Sequence, residues 1–266
     1  MARLVKQVSL PVERDEPLDP DAVERVAKWI VGAKRVVAFT GAGISTESGL
    51  ADFRGPDGVW TRRDRGLPPP KSKRLEEVKP NRGHYALVKL QDLGKLDYLV
   101  SQNVDNLHRL SGADPERLAE LHGNHSMVKC VECDARFEKS EVGWDDRRHG
   151  SGYRTSRPRK GQPTCPECGG RLISSVVNFG DPMPQRELSE SLRQARQCDV
   201  MLVVGSSLVV HPAADVPLAA YRAGAKLAIV NRGETPMDHL AHVRVWGSAG
   251  EFLEALAARV ETLLKS

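Results

Sequence analysis

The chain has 266 residues with 39 Lys and Arg against 35 Asp and Glu, a formal net charge of +4, and this length fits one large or two unequal domains. Charged residues at 28% and apolar residues at 40% exclude a disordered, collagen-like or coiled-coil chain. The longest apolar run is the five residues Val200–Val204, and the opening MARLVKQVSLPVERDEP lacks a signal peptide's apolar stretch. The expectation is therefore a soluble intracellular chain with no membrane partner, cytoplasmic by default or nuclear in a eukaryote.

Residues 1–18 read as an N-terminal extension. Asp19-Pro20-Asp21, followed by Val23, Val26, Ala27 and Ile30 and then by Gly32, predicts an N-capped helix with a proline in its first turn and a glycine stop. The apolar run 35–40 predicts a buried strand that ends in Gly41-Ala42-Gly43. Residues 61–80, rich in Pro, Lys and Arg, read as a loop insertion. Similar strand-like runs recur at 98–101, 200–204 and 227–230. Helical stretches recur at 85–93, 187–196, 212–223 and 251–264. This alternation predicts an α/β fold, a Rossmann-like open parallel sheet with helices on both faces. Residues 127–171 interrupt the rhythm and read as a small inserted domain, which leaves 19–60, 81–126 and 172–266 to the sheet domain.

That insertion carries Cys130-x-x-Cys133 and Cys165-x-x-Cys168, separated by 31 residues. Each short turn points two thiolates at a common centre, and four thiolates complete the shell of one structural Zn²⁺ per chain. Two disulfides or a redox Cys-x-x-Cys explain the pattern less well, because a redox motif does not come in pairs and nothing points to an oxidising compartment. A closed metal shell has no position for substrate, so the reaction belongs elsewhere. Cys198 reads as a small buried hydrophobe.

Gly41-Ala42-Gly43 follows a strand, where glycines let backbone amides approach a phosphate, yet the spacing is not Gly-x-Gly-x-x-Gly. A second loop, Gly205-Ser206-Ser207, and a third strand end at Asn231 strengthen the case for a long dinucleotide, since ligands bind outside the carboxyl ends of parallel strands. Ser101-Gln102-Asn103-Val104-Asp105 gathers amides and a carboxylate at another strand end, suited to a ribose or a carboxamide. His122, beside Gly123 at the border of the insertion, is a candidate general base; His108, His125 and His211 compete with it. Residues 147–160 contain six Lys or Arg and no acid. A solvated loop is the better reading, with contact to nucleic acid or chromatin as the sharper one.

Taken as a set, GAGISTESGLADFRGPDGVW (41–60), SQNVDNLH (101–108), LAELHGN (118–124), the paired Cys-x-x-Cys, VVNFGDPMP (176–184), VGSSLVVHPAADVPLA (204–219) and VN (230–231) resemble the sirtuin family over residues 34–258. The motifs are most similar to its class IV branch, which contains nuclear chromatin-associated enzymes. The resemblance implies NAD lying across the Rossmann-like sheet and an acyl-lysine protein or peptide entering beside the zinc domain. The acyl oxygen would displace nicotinamide at the ribose C1′ to give an alkylamidate. A ribose hydroxyl would then attack the acyl carbon, and water would release lysine and O-acyl-ADP-ribose. It also implies His122 as the base, Asn103 positioning the ribose and a water, and Asp105 holding the carboxamide. Gly41, Ala42, Gly43, Thr46, Asp52, Phe53, Arg54, Trp60 and Gln102 would line the phosphates, ribose and nicotinamide. Gly205, Ser206, Ser207, Asn231, Gly233 and Ala249 would hold the adenosine half. Val177, Asn178, Phe179 and Gly180, with His122, would receive the peptide.

The sequence departs from the family at Asn106, where a glycine is usual, and at Ala51, where a proline is usual; Asn tolerates left-handed backbone. Asn178-Phe179-Gly180 differs from class IV, so the peptide groove is expected to resemble other branches. No Tyr-x-x-Arg follows Trp60, which disfavours succinyl or malonyl groups and leaves neutral acyl groups. A mono-ADP-ribosyltransferase is the nearest rival; a non-catalytic NAD- or chromatin-binding module is another, opposed by the presence of Asn103, Asp105 and His122.

Overall fold

The computed structural model describes residues 14–178 and 180–266, so the expected N-terminal extension lies largely outside the described residues. In chain order the elements are α1 (Pro20–Gly32), β1 (Val36–Thr40), a 3₁₀ segment (Ala42–Ser48), α2 (Val59–Asp64), α3 (Arg82–Asp92), β2 (Tyr98–Ser101), α4 (Leu107–Leu110), β3 (Leu118–Glu120), β4 (Met127–Cys130), β5 (Arg136–Glu138), α5 (Asp146–His149), β6 (Leu172–Ser174), α6 (Gln185–Gln197), β7 (Val200–Val204), α7 (Asp215–Arg222), β8 (Lys226–Val230), β9 (Val243–Val245) and α8 (Ala249–Lys265).

Six strands form one parallel sheet in the order β3-β2-β1-β7-β8-β9. Successive residues alternate between its faces, as a strand requires. Val36, Ala38, Leu202 and Val204 pack against α1, α3 and α8. Val37, Phe39, Met201 and Val203 pack against α6 and α7. Both faces are apolar because both are covered, which is why these strands read as uninterrupted apolar runs rather than alternating ones. A fully buried side chain such as Phe39 or Leu202 contributes about 1.5–3 kcal/mol.

Local signals place the helix starts. The Asp19 carboxylate accepts from the amides of Asp21 and Ala22 at 2.9 and 3.2 Å, and Asn81 caps α3 through Gly83 N at 2.9 Å. The expected glycine stop at Gly32 is instead the last residue of α1. The helix expected from 212 starts at Asp215, and the expected loop insertion from 61 starts inside α2, which holds Trp60. A second, antiparallel sheet of β5-β4-β6 ends β4 on Cys130, with Cys133, Cys165 and Cys168 in the segments between its strands. Its third strand is Leu172–Ser174, paired with β4, so the small sheet runs three residues past the boundary expected at 171. Among the described residues no helix is long and apolar enough to cross a membrane.

Candidate active site

Because the large sheet is parallel, the carboxyl ends of β1, β2, β3, β7 and β8 share one edge, and the loops leaving them carry the polar residues. The glycines after β1 and β7 are required by packing between loops. A Cβ on Gly41 would lie 2.7 Å from Gly205 O, one on Gly43 2.7 Å from Gly205 Cα, and one on Gly205, whose φ is +62°, 2.4 Å from Ile44 N. Gly43 N donates to Gly205 O at 2.8 Å, so its amide faces the neighbouring loop rather than open space. Thr46 Oγ1 donates back to Gly43 O at 3.0 Å, and Ala42 is half-buried between them. The Ser206 hydroxyl is buried and accepts from Gln102 Nε2 at 2.8 Å, tying the β7 loop to the β2 loop. Ser207, next to it, is half-buried.

After β2, Asn103 Nδ2 donates to Gly41 O at 3.2 Å and to Ser45 Oγ at 3.1 Å, and Ser45 Oγ donates to Asp105 Oδ2 at 2.7 Å. Asp105 Oδ1 accepts from Leu107 N at 3.0 Å. Burial nonetheless raises the Asp105 carboxyl above its ordinary range, with those two hydrogen bonds opposing. Asn106 has φ 66°, the left-handed conformation in which Asn replaces glycine at low strain. Ser45 was not anticipated from the sequence; its spacing after the glycines has no periodic signature, and only the fold brings it under Asn103 and Asp105.

After β3, His122 Nδ1 lies 2.8 Å from Gln102 O. A carbonyl only accepts, so Nδ1 carries the proton and Nε2 keeps the lone pair. Burial lowers the ring's pKa from 6.5, with the bond to Gln102 O opposing, so the imidazole is neutral at pH 7. Gly123 is required by close approach: its φ is +75° and a Cβ there would sit 1.9 Å from Ser175 O. Val177 N donates to His122 O at 2.9 Å, which runs segment 175–178 alongside the histidine loop. Asn178 bonds to Asp181 Oδ2 through N and Nδ2, both at 3.2 Å, and Gly180 follows with φ +88°. Phe179 lies outside the described residues.

Of the other candidates, Phe53 stacks on Trp60 with ring centroids 5.9 Å apart, and the Arg63 guanidinium lies 4.4 Å above the Trp60 ring. Phe53 is 46% exposed, so this stack leaves an apolar ring open to a ligand. Asp52 Oδ1 caps Gly55 N at 2.9 Å, and burial raises its carboxyl. Arg54 is exposed and pairs with Asp64 at 3.8 Å. Asn231 Nδ2 donates to Gly233 O at 2.9 Å, and Arg244 Nη1 donates to Asn231 O at 2.8 Å, fixing that loop. Ala249 opens α8, whose first turn is capped by Ser248 Oγ on Glu251 N at 3.3 Å. Of the competing histidines, His108 is fully buried against Thr40 Oγ1 at 2.9 Å, His125 Nδ1 meets Val104 O at 2.9 Å, and His211 pairs with Asp215 in the open.

The four cysteines of the small sheet converge. Their Sγ atoms all lie within 4.8 Å of one another, with Cys130 to Cys168 at 3.5 Å, Cys133 to Cys165 at 3.7 Å and Cys133 to Cys168 at 3.4 Å. A tetrahedral Zn²⁺ with bonds near 2.3 Å places its sulfurs about 3.8 Å apart, so the donor set fits one ion in a closed shell. Cys198 is buried away from them, its thiol pushed up to about 12 by burial.

A parallel sheet whose carboxyl-edge loops gather polar residues, with a four-thiolate module inserted in the chain, is the architecture of an α/β enzyme with an inserted metal-binding unit. Residues 69–212 match the Sir2 family. An NAD-dependent protein deacetylase of Bradyrhizobium diazoefficiens is 39% identical over 87% of this chain and 93% of its own. An NAD-dependent protein deacylase of Archaeoglobus fulgidus is 37% identical over 91% and 98%. Among solved structures, Sir2Af2 bound to a myristoylated histone peptide superposes with a TM-score of 0.65 at 34% identity, covering 92% of this chain and 98% of that one. A Sir2 enzyme with deacetylated p53 peptide and 3′-O-acetyl ADP-ribose superposes with 0.68 at 31% identity, covering 91% and 98%. The chain belongs to the Sir2 family.

Proposed function

We propose that this chain is an NAD-dependent protein-lysine deacylase, releasing nicotinamide, O-acyl-ADP-ribose and free lysine. The observation that carries the reading is the meeting of three loops, in which Asn103, Asp105 and His122 are held by Ser45, Gly41 and Gln102. The residues present fit NAD: the polar side chains of Ser45, Gln102, Asn103, Ser206 and Asn231 stand on the carboxyl-end loops of β1, β2, β7 and β8, beside Gly41, Gly43 and Gly205, whose positions tolerate no Cβ. When bound, NAD supplies the ribose carbon that takes the acyl oxygen and the nicotinamide that leaves. His122 Nε2 accepts the proton of a ribose hydroxyl, since its lone pair is fixed there by Nδ1 and its low pKa keeps it unprotonated at neutral pH. Asn103 orients the ribose. Asp105 takes the carboxamide, its desolvated carboxylate gaining from a hydrogen-bond donor. Phe53 and Trp60 cover the cofactor, and Gly205, Ser207, Asn231, Gly233 and Ala249 hold its adenosine half. An acyl-lysine peptide lies along Val177–Asn178, recognised through main-chain bonds. The zinc stiffens the small sheet.

The test is mass spectrometry of the purified protein with NAD and peptides bearing acetyl, succinyl or myristoyl lysine. Loss of acetyl or myristoyl mass together with O-acyl-ADP-ribose is expected, with succinyl peptide unchanged and His122→Ala inactive at undiminished zinc content. ADP-ribose mass on protein with every acyl peptide intact would replace the deacylase with a transferase.

A further inference from the structure

Glu120 ends β3, two residues before His122, and is only 4% exposed. A carboxylate so far from water persists only when its oxygens are fully partnered. Three donors reach it: Arg109 Nε and Arg136 Nη2 on Oε2, both at 3.1 Å, and Asn124 Nδ2 on Oε1 at 2.6 Å. They come from three parts of the molecule. Arg109 lies on α4, directly behind the Asp105-Asn106 turn. Arg136 lies on β5 of the small sheet, three residues after Cys133, and its Nη1 donates to Glu187 on α6 at 2.8 Å. Asn124 closes the His122-Gly123 turn and also donates to Asn106 Oδ1 at 2.8 Å. Its backbone N donates to Ser175 Oγ at 3.0 Å, and Ser175 Oγ donates to its carbonyl at 2.7 Å. Two half-buried guanidinium groups and the half-buried Glu187 carboxylate thus form a charge-balanced quartet around the buried Glu120, with Asn124 as its arm toward the reacting groups.

We infer that Glu120 is a positioning residue: its carboxylate fixes the loop that carries His122 against the loop that carries Asn103 and Asp105 and fastens both to the zinc-bearing sheet. It acts through Asn124 and Asn106. Glutamine at this position keeps the volume but turns an amide nitrogen toward donors, so the quartet loses one of its two acceptors and its charge balance. A shift of about 1 Å at a reacting group lowers a rate by roughly a hundredfold.

The inference rests on the deacylase reading for its kinetic arm alone. Glu120→Gln, Arg136→Met and, as a control on an exposed pair, Arg193→Ala would be compared for kcat, for KM toward NAD and acetyl-lysine peptide, for zinc content, and for the His122 Cε1–H resonance, identified by its loss in His122→Ala. Glu120→Gln is expected to lower kcat about tenfold or more with KM for NAD within about twofold, zinc retained and the His122 resonance displaced. Arg136→Met shifts both in the same direction by about threefold in kcat, and Arg193→Ala changes neither. A Glu120→Gln protein that melts lower yet keeps kcat within about twofold and an unmoved His122 resonance would reduce Glu120 to a stabilising residue. Should Glu120→Gln not fold, an Arg136→Met protein with unaltered kcat and resonance would overturn the inference as well. Should the wild type lack deacylase activity, the resonance still decides.

Discussion

The two sheets hold their loops in opposite ways. Every residue of β1 and β7 is buried, with helices on both faces, so the centre of the large sheet stands on apolar burial. The small sheet has strands of four, three and three residues around Val128, Cys130, Trp144, Cys165 and Leu172, and two members of that cluster are thiol ligands. A core that small does not fold unaided, and four thiolates around one ion replace the missing apolar area. One wall of the molecule is therefore self-sufficient while the other depends on a metal, and each wall can be weakened separately.

The largest effect is expected from the metal. Structural Zn²⁺ contributes on the order of 10 kcal/mol to such modules, so Cys165→Ser should lose the ion and the fold of the small sheet. Hydrogen exchange should then accelerate at 127–138 and 172–174 while 36–40 and 200–204 stay protected. Uniform acceleration would mean that the walls are one cooperative unit. Next, Leu202→Ala, fully buried in β7, should cost about 2–5 kcal/mol in urea unfolding with zinc content unchanged; zinc loss in that variant would again couple the walls.

Acid sharpens the contrast further. His84 on α3 is pushed down to about 4 by burial, and His108, its ring 5.0 Å away, is held well below 6.5 by burial and by His84. Both are neutral when folded and protonate near 6.5 when unfolded, so the unfolded chain binds more protons below that pH. Their contribution is complete above pH 6.5 and declines as pH falls toward 4, by up to about 3 kcal/mol from His84. Thermal melts from pH 7 to 4.5 should show that decline, and His84→Gln should flatten it. An identical slope in the variant would assign the acid sensitivity to other groups. The smallest effect concerns rate: the acid limb of kcat/KM should fall with a midpoint below 6.5, the neutral form of His122 being the active one. A midpoint above 6.5 would point to a protonated, ion-paired ring.

The parallel strands and the cysteine module were legible because both leave periodic or spaced marks: apolar runs at 35–40, 98–101, 200–204 and 227–230, and two Cys-x-x-Cys pairs. β3, β5, β6 and β9 are three residues each, too short to show a period, and only their neighbours make them strands. The loops were legible as glycine and amide clusters, but the reason for the glycines was not. Gly41, Gly43 and Gly205 serve each other's backbones before any phosphate, contacts between residues 164 and 162 positions apart in the chain. Ser45 and Glu120 went unread for the same reason: each gains its role from partners on distant segments, at Asp105 and at Arg136.

The convergence of the thiols also has an architectural consequence. Cys130-Cys133 and Cys165-Cys168 clamp both roots of the intervening 31-residue excursion at a single point, so what lies between them does not set the distance between its ends. Doubling the length of such a closed excursion costs only about 0.6 kcal/mol. Residues 157–161 within it are exposed, which makes that segment a graft site where an epitope, a fluorophore-bearing peptide or a whole domain can be carried without changing the distance between the clamped ends.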